Sequence, residues 1–240
     1  MLGNNSVEFK VHGRYGLFTD PLTKVGGEKC SYHLPTYEAL KGILKSIYWK
    51  PTLIWVIDEV RVMKRIRTQT KGTKPQEFSG GNTLAIYTFL SDVEYQVRAH
   101  FEWNNHRPEL KDDRIEGKHI AIAQRMIERG GRQDIFLGTR DCQAYVETCE
   151  FGEGAGALDS DGELAFGLMF HGFDYPDETG ESKLSARFWR PIMNNGIIRF
   201  DRPEACEVKR YVRDMTVKTF GVGESQRSVN AEYAELERSE

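Results

Sequence analysis

The chain has 240 residues, 39% of them hydrophobic, and a net charge of −3 from 33 basic and 36 acidic side chains. That suffices for one large or two small domains with apolar cores, and no stretch approaches the ~18 continuous apolar residues of a membrane span. A near-neutral balance argues against bulk attraction to nucleic acid. It averages two unlike regions, however: residues 41–74 hold nine Lys and Arg against two acids, and residues 150–182 hold nine acids and no Lys or Arg.

Residues 1–10 carry no apolar run of the secretory kind. The four cysteines (Cys30, Cys142, Cys149, Cys206) form no CxxC pair, so reduced, cytoplasmic thiols are expected. Residues 7–18 alternate Val7, Phe9 and Val11 with polar side chains and predict a strand. Pro21, Gly26 and Gly27 mark 20–31 as a loop. Thr36 is a good N-cap for a helix over 37–49, with Leu40, Ile43, Leu44 and Ile47 on one face and Pro51 ending it.

Residues 52–66 are rich in Val and Ile and read as β, followed by a polar loop over 67–82. Residues 83–103 predict two strands with a turn at Ser91-Asp92. Asp113 and Glu116 resemble a capping box for a second helix over 113–129, and Gly130-Gly131 closes it. Residues 134–150 return as a strand pair or one long strand.

The order β-α-β-β-α-β is the α+β, ferredoxin-like arrangement that also underlies RRM domains. It sets an RRM-like domain at 1–150. After a Gly- and acid-rich joint, four further strand signals predict a small antiparallel β-domain at 151–215, and 216–240 reads as a polar, weakly ordered tail.

Several residues suit phosphate chemistry. Lys41, Lys45 and Tyr48 stand at i, i+4 and i+7 on the first helix, one stripe beside its apolar face. They suit a nucleic-acid backbone, or else form an ordinary solvated edge. The second helix opens Glu116-Gly117-Lys118-His119, where free N–H groups attract phosphate, Lys118 offers a point charge and His119 a proton carrier near neutral pH. His119 also shares a helix side with Ala123, Met126 and Ile127, so a satisfied core histidine is the competing reading. In Phe136-Leu137-Gly138-Thr139-Arg140-Asp141, Gly138 permits close backbone approach to RNA and Arg140 a bidentate phosphate grip; a β-bulge with a surface ion pair explains the same residues. A rival reading takes Asp112, Asp113, Glu116 and Lys118 as a weak carboxylate set for magnesium. The other histidines have no ligand spacing, and no Walker loop, GxSxG or zinc pattern occurs.

Three stretches carry a resemblance: residues 31–36 (SYHLPT), 42–51 (GILKSIYWKP) and 136–141 (FLGTRD). In order and spacing, over about the first 215 residues, the chain resembles the RAMP-superfamily proteins of subtype I-C (Dvulg) CRISPR systems, the d-type member of the fifth Cas family. The resemblance implies a metal-independent endoribonuclease, without cofactor, that cuts CRISPR repeat RNA (the pre-crRNA hairpin) beside its hairpin. It then stays on the mature crRNA with the other subunits of a subtype I-C Cascade complex. The family's catalytic tyrosine falls on Tyr48 and its lysine-histidine pair on Lys118 and His119. Scission would run by in-line attack of the ribose 2′-OH on its own 3′-phosphate, leaving 2′,3′-cyclic phosphate and 5′-OH ends. His119 or Tyr48 would serve as base, and Lys118 would stabilise the phosphorane. Lys41, Lys45, Arg65, Arg67 and Arg140 are the expected RNA phosphate ligands. Most other branches of the fifth Cas family are structural, so a non-cleaving crRNA-binding subunit is the alternative.

Overall fold

The computed structural model describes residues 5–115 and 117–217; Glu116 and the expected tail beyond 217 lie outside the described residues. Strand β1 (Ser6–Gly16) buries Val7, Phe9 and Val11 and turns the residues between them to the opposite face, as period two requires. A single turn, α1 (Pro21–Val25), capped by Asp20, occupies part of the expected loop. Helix α2 (Tyr37–Ile47) starts where the Thr36 hydroxyl accepts the Ala39 amide at 3.1 Å. It buries Leu40, Ile43, Leu44 and Ile47 on the predicted face.

The chain continues as β2 (Leu53–Val62), β3 (Thr68–Thr73) and β4 (Ala85–Trp103). The expected turn at Ser91-Asp92 is absent. One 19-residue strand runs through it, with Asp92 at φ 54° as a local irregularity. Its partners explain the continuity: β1 pairs from Ser6↔His100 to Gly16↔Leu90, across the irregular point, and holds both halves in line. Strand β3, drawn from the expected polar loop, pairs with the first portion of β4 from Thr68↔Leu90 to Thr73↔Ala85. Its sequence TQTKGT is polar because four of its six residues are exposed and the others half-buried, which removes the alternation a one-sided strand would show.

A 3₁₀ turn (Pro108–Asp113) precedes helix α3 (Lys118–Glu128). The helix therefore begins five residues later than the capping pattern predicts. Asp113 is not its cap; Gly117 is, in a left-handed conformation (φ 77°) that suits glycine. The Asp113 carboxylate is committed elsewhere, to Thr52 and Lys118. Gly130 closes the helix at φ 82°. Strands β5 (Ile135–Phe136) and β6 (Gln143–Thr148) form the expected pair.

In the sheet, β6, β1, β4 and β2 are neighbours in that order, all antiparallel, with α2 and α3 packed on one face. This is the ferredoxin-like order. Residues beyond 150 form β7 (Glu163–Ala165), β8 (Met169–Asp174), α4 (Pro176–Thr179), β9 (Lys183–Trp189), β10 (Ile192–Asn194), β11 (Ile197–Arg199) and β12 (Val208–Asp214). Antiparallel β structure is as expected there, but its strands divide. β11, β10 and β7 extend the first sheet from the edge of β2, while β12, β9 and β8 make a second, three-stranded sheet. Extension satisfies an edge that β2 would otherwise leave bare. Met169, Trp189, Met193, Ile198 and Phe200 share one buried cluster with Leu40 and Leu44, so the apolar core runs unbroken across residue 150.

The two unlike charge regions meet in the fold. Arg61 pairs with Asp159 at 2.6 Å, Arg65 with Asp161 at 2.7 Å, and Lys41 and Lys45 both reach Glu178. Much of the basic stretch is thus neutralised within the molecule.

Candidate active site

Helix α2 ends at Tyr48, whose amide closes the last turn on Leu44 and whose carbonyl accepts the Trp55 indole N–H at 2.8 Å. These bonds fix where the phenol points. Its Oη lies 2.8 Å from Nδ1 of His119, in the first turn of α3. The other ring nitrogen, Nε2, lies 2.8 Å from the Asp113 backbone carbonyl. A carbonyl only accepts, so Nε2 carries the proton, Nδ1 is the acceptor, and Tyr48 donates to it.

Asp113 is the hub of the cluster. Its carboxylate receives the Lys118 ammonium at 2.5 Å and the Thr52 hydroxyl at 2.7 Å, and stands 3.6 Å from His119 Nε2. Lys118, then Thr52, hold its carboxyl below the ordinary range. Burial, reinforced by the Asp113 charge and opposed by Arg132, pushes the Tyr48 phenol above its usual value. Tyr48 is therefore a protonated donor at neutral pH, not a standing tyrosinate.

The structure thus brings Tyr48, Lys118 and His119 together, and it qualifies their roles. Lys118 is exposed, Tyr48 is 4% exposed, and His119 is fully buried beside the rings of Phe101 and Trp103. The imidazole cannot touch a substrate; it reaches one only through Tyr48. Its burial agrees with its place on the core side of α3.

The expected phosphate ligands fall into three groups. Lys41 is a correction: it is 1% exposed and paired with Glu178, which leaves no surface for RNA. Lys45 and Arg65 are accessible but engaged, Lys45 with Glu178 at 3.4 Å and over the Tyr175 ring, Arg65 with Asp161. Arg67 and Arg140 are exposed and form no ion pair among the described residues. Gly138 is also corrected. It sits at φ 93°, and a Cβ there would collide with the Leu17 carbonyl oxygen, so its close approach is to the chain's own backbone. Arg132 was missed: its amide bonds the Ser46 carbonyl at 3.2 Å and its charge acts on Tyr48. Only the folded contact between the ends of α2 and α3 shows that proximity.

The face of the sheet away from the helices, where RRM domains stack bases on aromatic rings, is ionic here. Arg98 bridges Glu8 and Glu59, and His100 bridges Asp58 and Glu102. Among the described residues no group of three or more His, Cys, Asp or Glu side chains is placed to hold a metal ion.

The sequence matches the family described as CRISPR-associated protein (Cas_Cas5), in its Cas5d form, over residues 6–201. It is 28% identical over 233 residues to the CRISPR pre-crRNA endoribonuclease Cas5d of Mannheimia succiniciproducens, covering 86% of this chain and 99% of that one. It is 29% identical to the protein of the same name from Thermus thermophilus over 175 residues, 68% of this chain and 73% of that one. A crystal structure of a CRISPR-associated protein superposes with a TM-score of 0.73 at 33% identity, over 85% of this chain and 96% of the other. With the match spanning the ferredoxin-like sheet, both helices and the Tyr48–His119 contact, the chain belongs to the Cas5d family of CRISPR-associated proteins.

Proposed function

We propose that the protein is a metal-independent endoribonuclease. It cuts CRISPR repeat RNA beside the hairpin and remains on the crRNA as a subunit of a subtype I-C Cascade complex. Family membership and the names of the two relatives support the substrate. The observation that carries the chemistry is the chain of contacts Tyr48 Oη to His119 Nδ1 at 2.8 Å, with exposed Lys118 beside it.

The ribose 2′-OH attacks the adjacent phosphorus in line. Its proton passes to the Tyr48 oxygen while Tyr48 gives its own to His119 Nδ1. The resulting imidazolium is held by the Asp113 carbonyl and faces the Asp113 carboxylate. Coupling the phenol to a buried imidazole lets Tyr48 act as a base without first ionising, which its raised pKa forbids at neutral pH. Lys118 turns from Asp113 to the phosphorane and offsets its charge. The P–O5′ bond breaks, the 5′ oxygen takes its proton from solvent water, and a 2′,3′-cyclic phosphate remains.

The full burial of His119 favours a second reading, a non-cleaving subunit that holds the crRNA end. One experiment separates the two. Purified protein is incubated with its repeat RNA in EDTA and in magnesium, alongside RNA carrying 2′-deoxy at the cut. Cleavage in EDTA, abolished by the deoxy substitution, is expected. Binding without product establishes the second reading, and cleavage only with a divalent ion establishes a carboxylate–metal reaction at Asp112 and Asp113 instead.

A further inference from the structure

Helix α3 carries a row of cations on its solvent side. Lys118, Arg125 and Arg129 are exposed, and with half-buried Ile122 between them they follow intervals of four, three and four residues, which sets them on one face; His119, Ala123 and Ile127 turn into the core. At 1.5 Å per residue the row is about 16 Å long. Exposed Arg132 continues it past Gly130, where its amide and that of Gln133 bind the Ser46 carbonyl of α2. Arg125, Arg129 and Arg132 form no ion pair among the described residues. Glu128, the one acid between 118 and 132, lies about 100° round the helix from Arg129. The lysines of α2, by contrast, are closed by Glu178. Arg125 and Arg129, four residues apart, repel each other in the free protein, and an anionic partner relieves that repulsion.

We propose that this row seats the sugar-phosphate backbone of the paired RNA stem, a reading that rests on the proposed activity and assigns the surface that receives its substrate. Lys118 ties the row to the candidate active site, because it adjoins His119 in the chain and pairs with Asp113. A stem lying along α3 therefore ends where Lys118 meets the phosphate to be cut. The composition of the row selects a duplex. Residues 118–132 contain no Phe, Tyr or Trp, so no ring is offered to an unstacked base, whereas surfaces for single strands combine a basic groove with stacking rings. Duplex RNA keeps its bases out of reach in a deep, narrow major groove and presents regularly spaced phosphates, which a row of cations on a rigid helix matches.

The test uses the full chain and two RNAs made 2′-deoxy at the cut, the repeat hairpin and the same repeat with one side of the stem altered so that it cannot pair. Wild type, the double variant Arg125→Gln/Arg129→Gln and the charge-keeping double variant Arg125→Lys/Arg129→Lys are compared by fluorescence anisotropy across a salt series, with thermal unfolding as the check on folding. Glutamine is a good helix former, so the helix should persist; Arg129→Gln alone serves should the pair unfold. The glutamine pair should bind the hairpin at least roughly tenfold more weakly, with the log–log salt slope lowered by about two, and the unpaired repeat within about twofold of wild type. The lysine pair should stay close to wild type. Single-turnover cleavage of all-ribose hairpin at saturating protein should be unchanged, since neither arginine reaches the reacting atoms. Unchanged hairpin affinity and slope, an equal loss on both RNAs, or a cleavage defect that saturation does not restore each overturns the assignment. So does intact RNA binding with lost assembly onto other subunits, which favours a protein occupant. A wild type that binds the hairpin through these arginines but does not cut it would sink the nuclease reading and leave the assignment of α3 standing.

Discussion

Tyr48 has two duties that one substitution exposes together. Tyr48→Phe leaves the ring in place but strips the donor from His119 Nδ1, an acceptor in a fully buried ring. An unsatisfied buried acceptor costs about 1–3 kcal/mol, and loss of a proton-transfer group lowers a rate by roughly 10²–10⁴-fold. Urea unfolding and single-turnover cleavage should therefore both register the change, with RNA affinity little altered; full cleavage by the variant would remove Tyr48 from the reaction. The partnership of Tyr48 with the Lys118-His119 pair was legible through the family resemblance. The burial of His119 was legible from its side of the helix. The hub role of Asp113 was not, because a capping pattern in sequence says nothing of Thr52, sixty-one residues away, which claims the same carboxylate.

Helix α2 shows how an element's partners decide what its charges do. Spacing places Lys41, Lys45 and Tyr48 on one side; the two lysines share Glu178, while Tyr48 lies past the helix end and turns to His119, and spacing cannot say what covers either. Glu178 of α4 arrives from 137 residues further on and closes over Lys41. Burial would raise the Glu178 carboxyl; Lys41 and Lys45 outweigh it and hold it low. Removing one member of such a pair strands a buried charge, at about 3–5 kcal/mol. Lys41→Met should lose that much in urea unfolding, and Lys41→Met combined with Glu178→Met should recover most of it. RNA affinity of the folded Lys41→Met protein should keep its full salt dependence, whereas Arg140→Ala should lower the log–log slope by about one. A flattened slope for Lys41→Met would restore it as a phosphate ligand. The same limit of local pattern hid β3 and the continuity of β4: their pairing is set by strand neighbours, which polarity along the chain does not encode.

At the scale of the whole molecule, the joint between the first sheet and the three-stranded sheet sets the response to acid. His171 on β8 is fully buried there, stacked on Tyr37 of α2 at 4.2 Å, with Nε2 on the Asp201 carbonyl at 2.9 Å. Arg187 faces its other nitrogen, Nδ1, at 3.4 Å. Burial first, then the Arg187 charge, push its pKa down to about 3. In the unfolded chain the ring protonates near 6.5, so below that pH the unfolded state binds the extra proton and the folded state does not. Stability therefore falls as pH drops through about 6.5 toward the folded value. At pH 5 the difference is about 1.5 pH units, or about 2 kcal/mol. His100, raised chiefly by its bond to Asp58, works in the opposite sense: its contribution is full below 6.5 and fades as pH rises through its folded value. Subtracting a His171→Gln variant from wild type cancels that term. Urea midpoints measured from about pH 7.5 to pH 5 should drop for wild type relative to His171→Gln, so that the variant, lower at the upper end, closes the gap as pH falls. Parallel curves for the two proteins would mean that the joint already admits a proton, and that the two sheets are not held by a neutral ring.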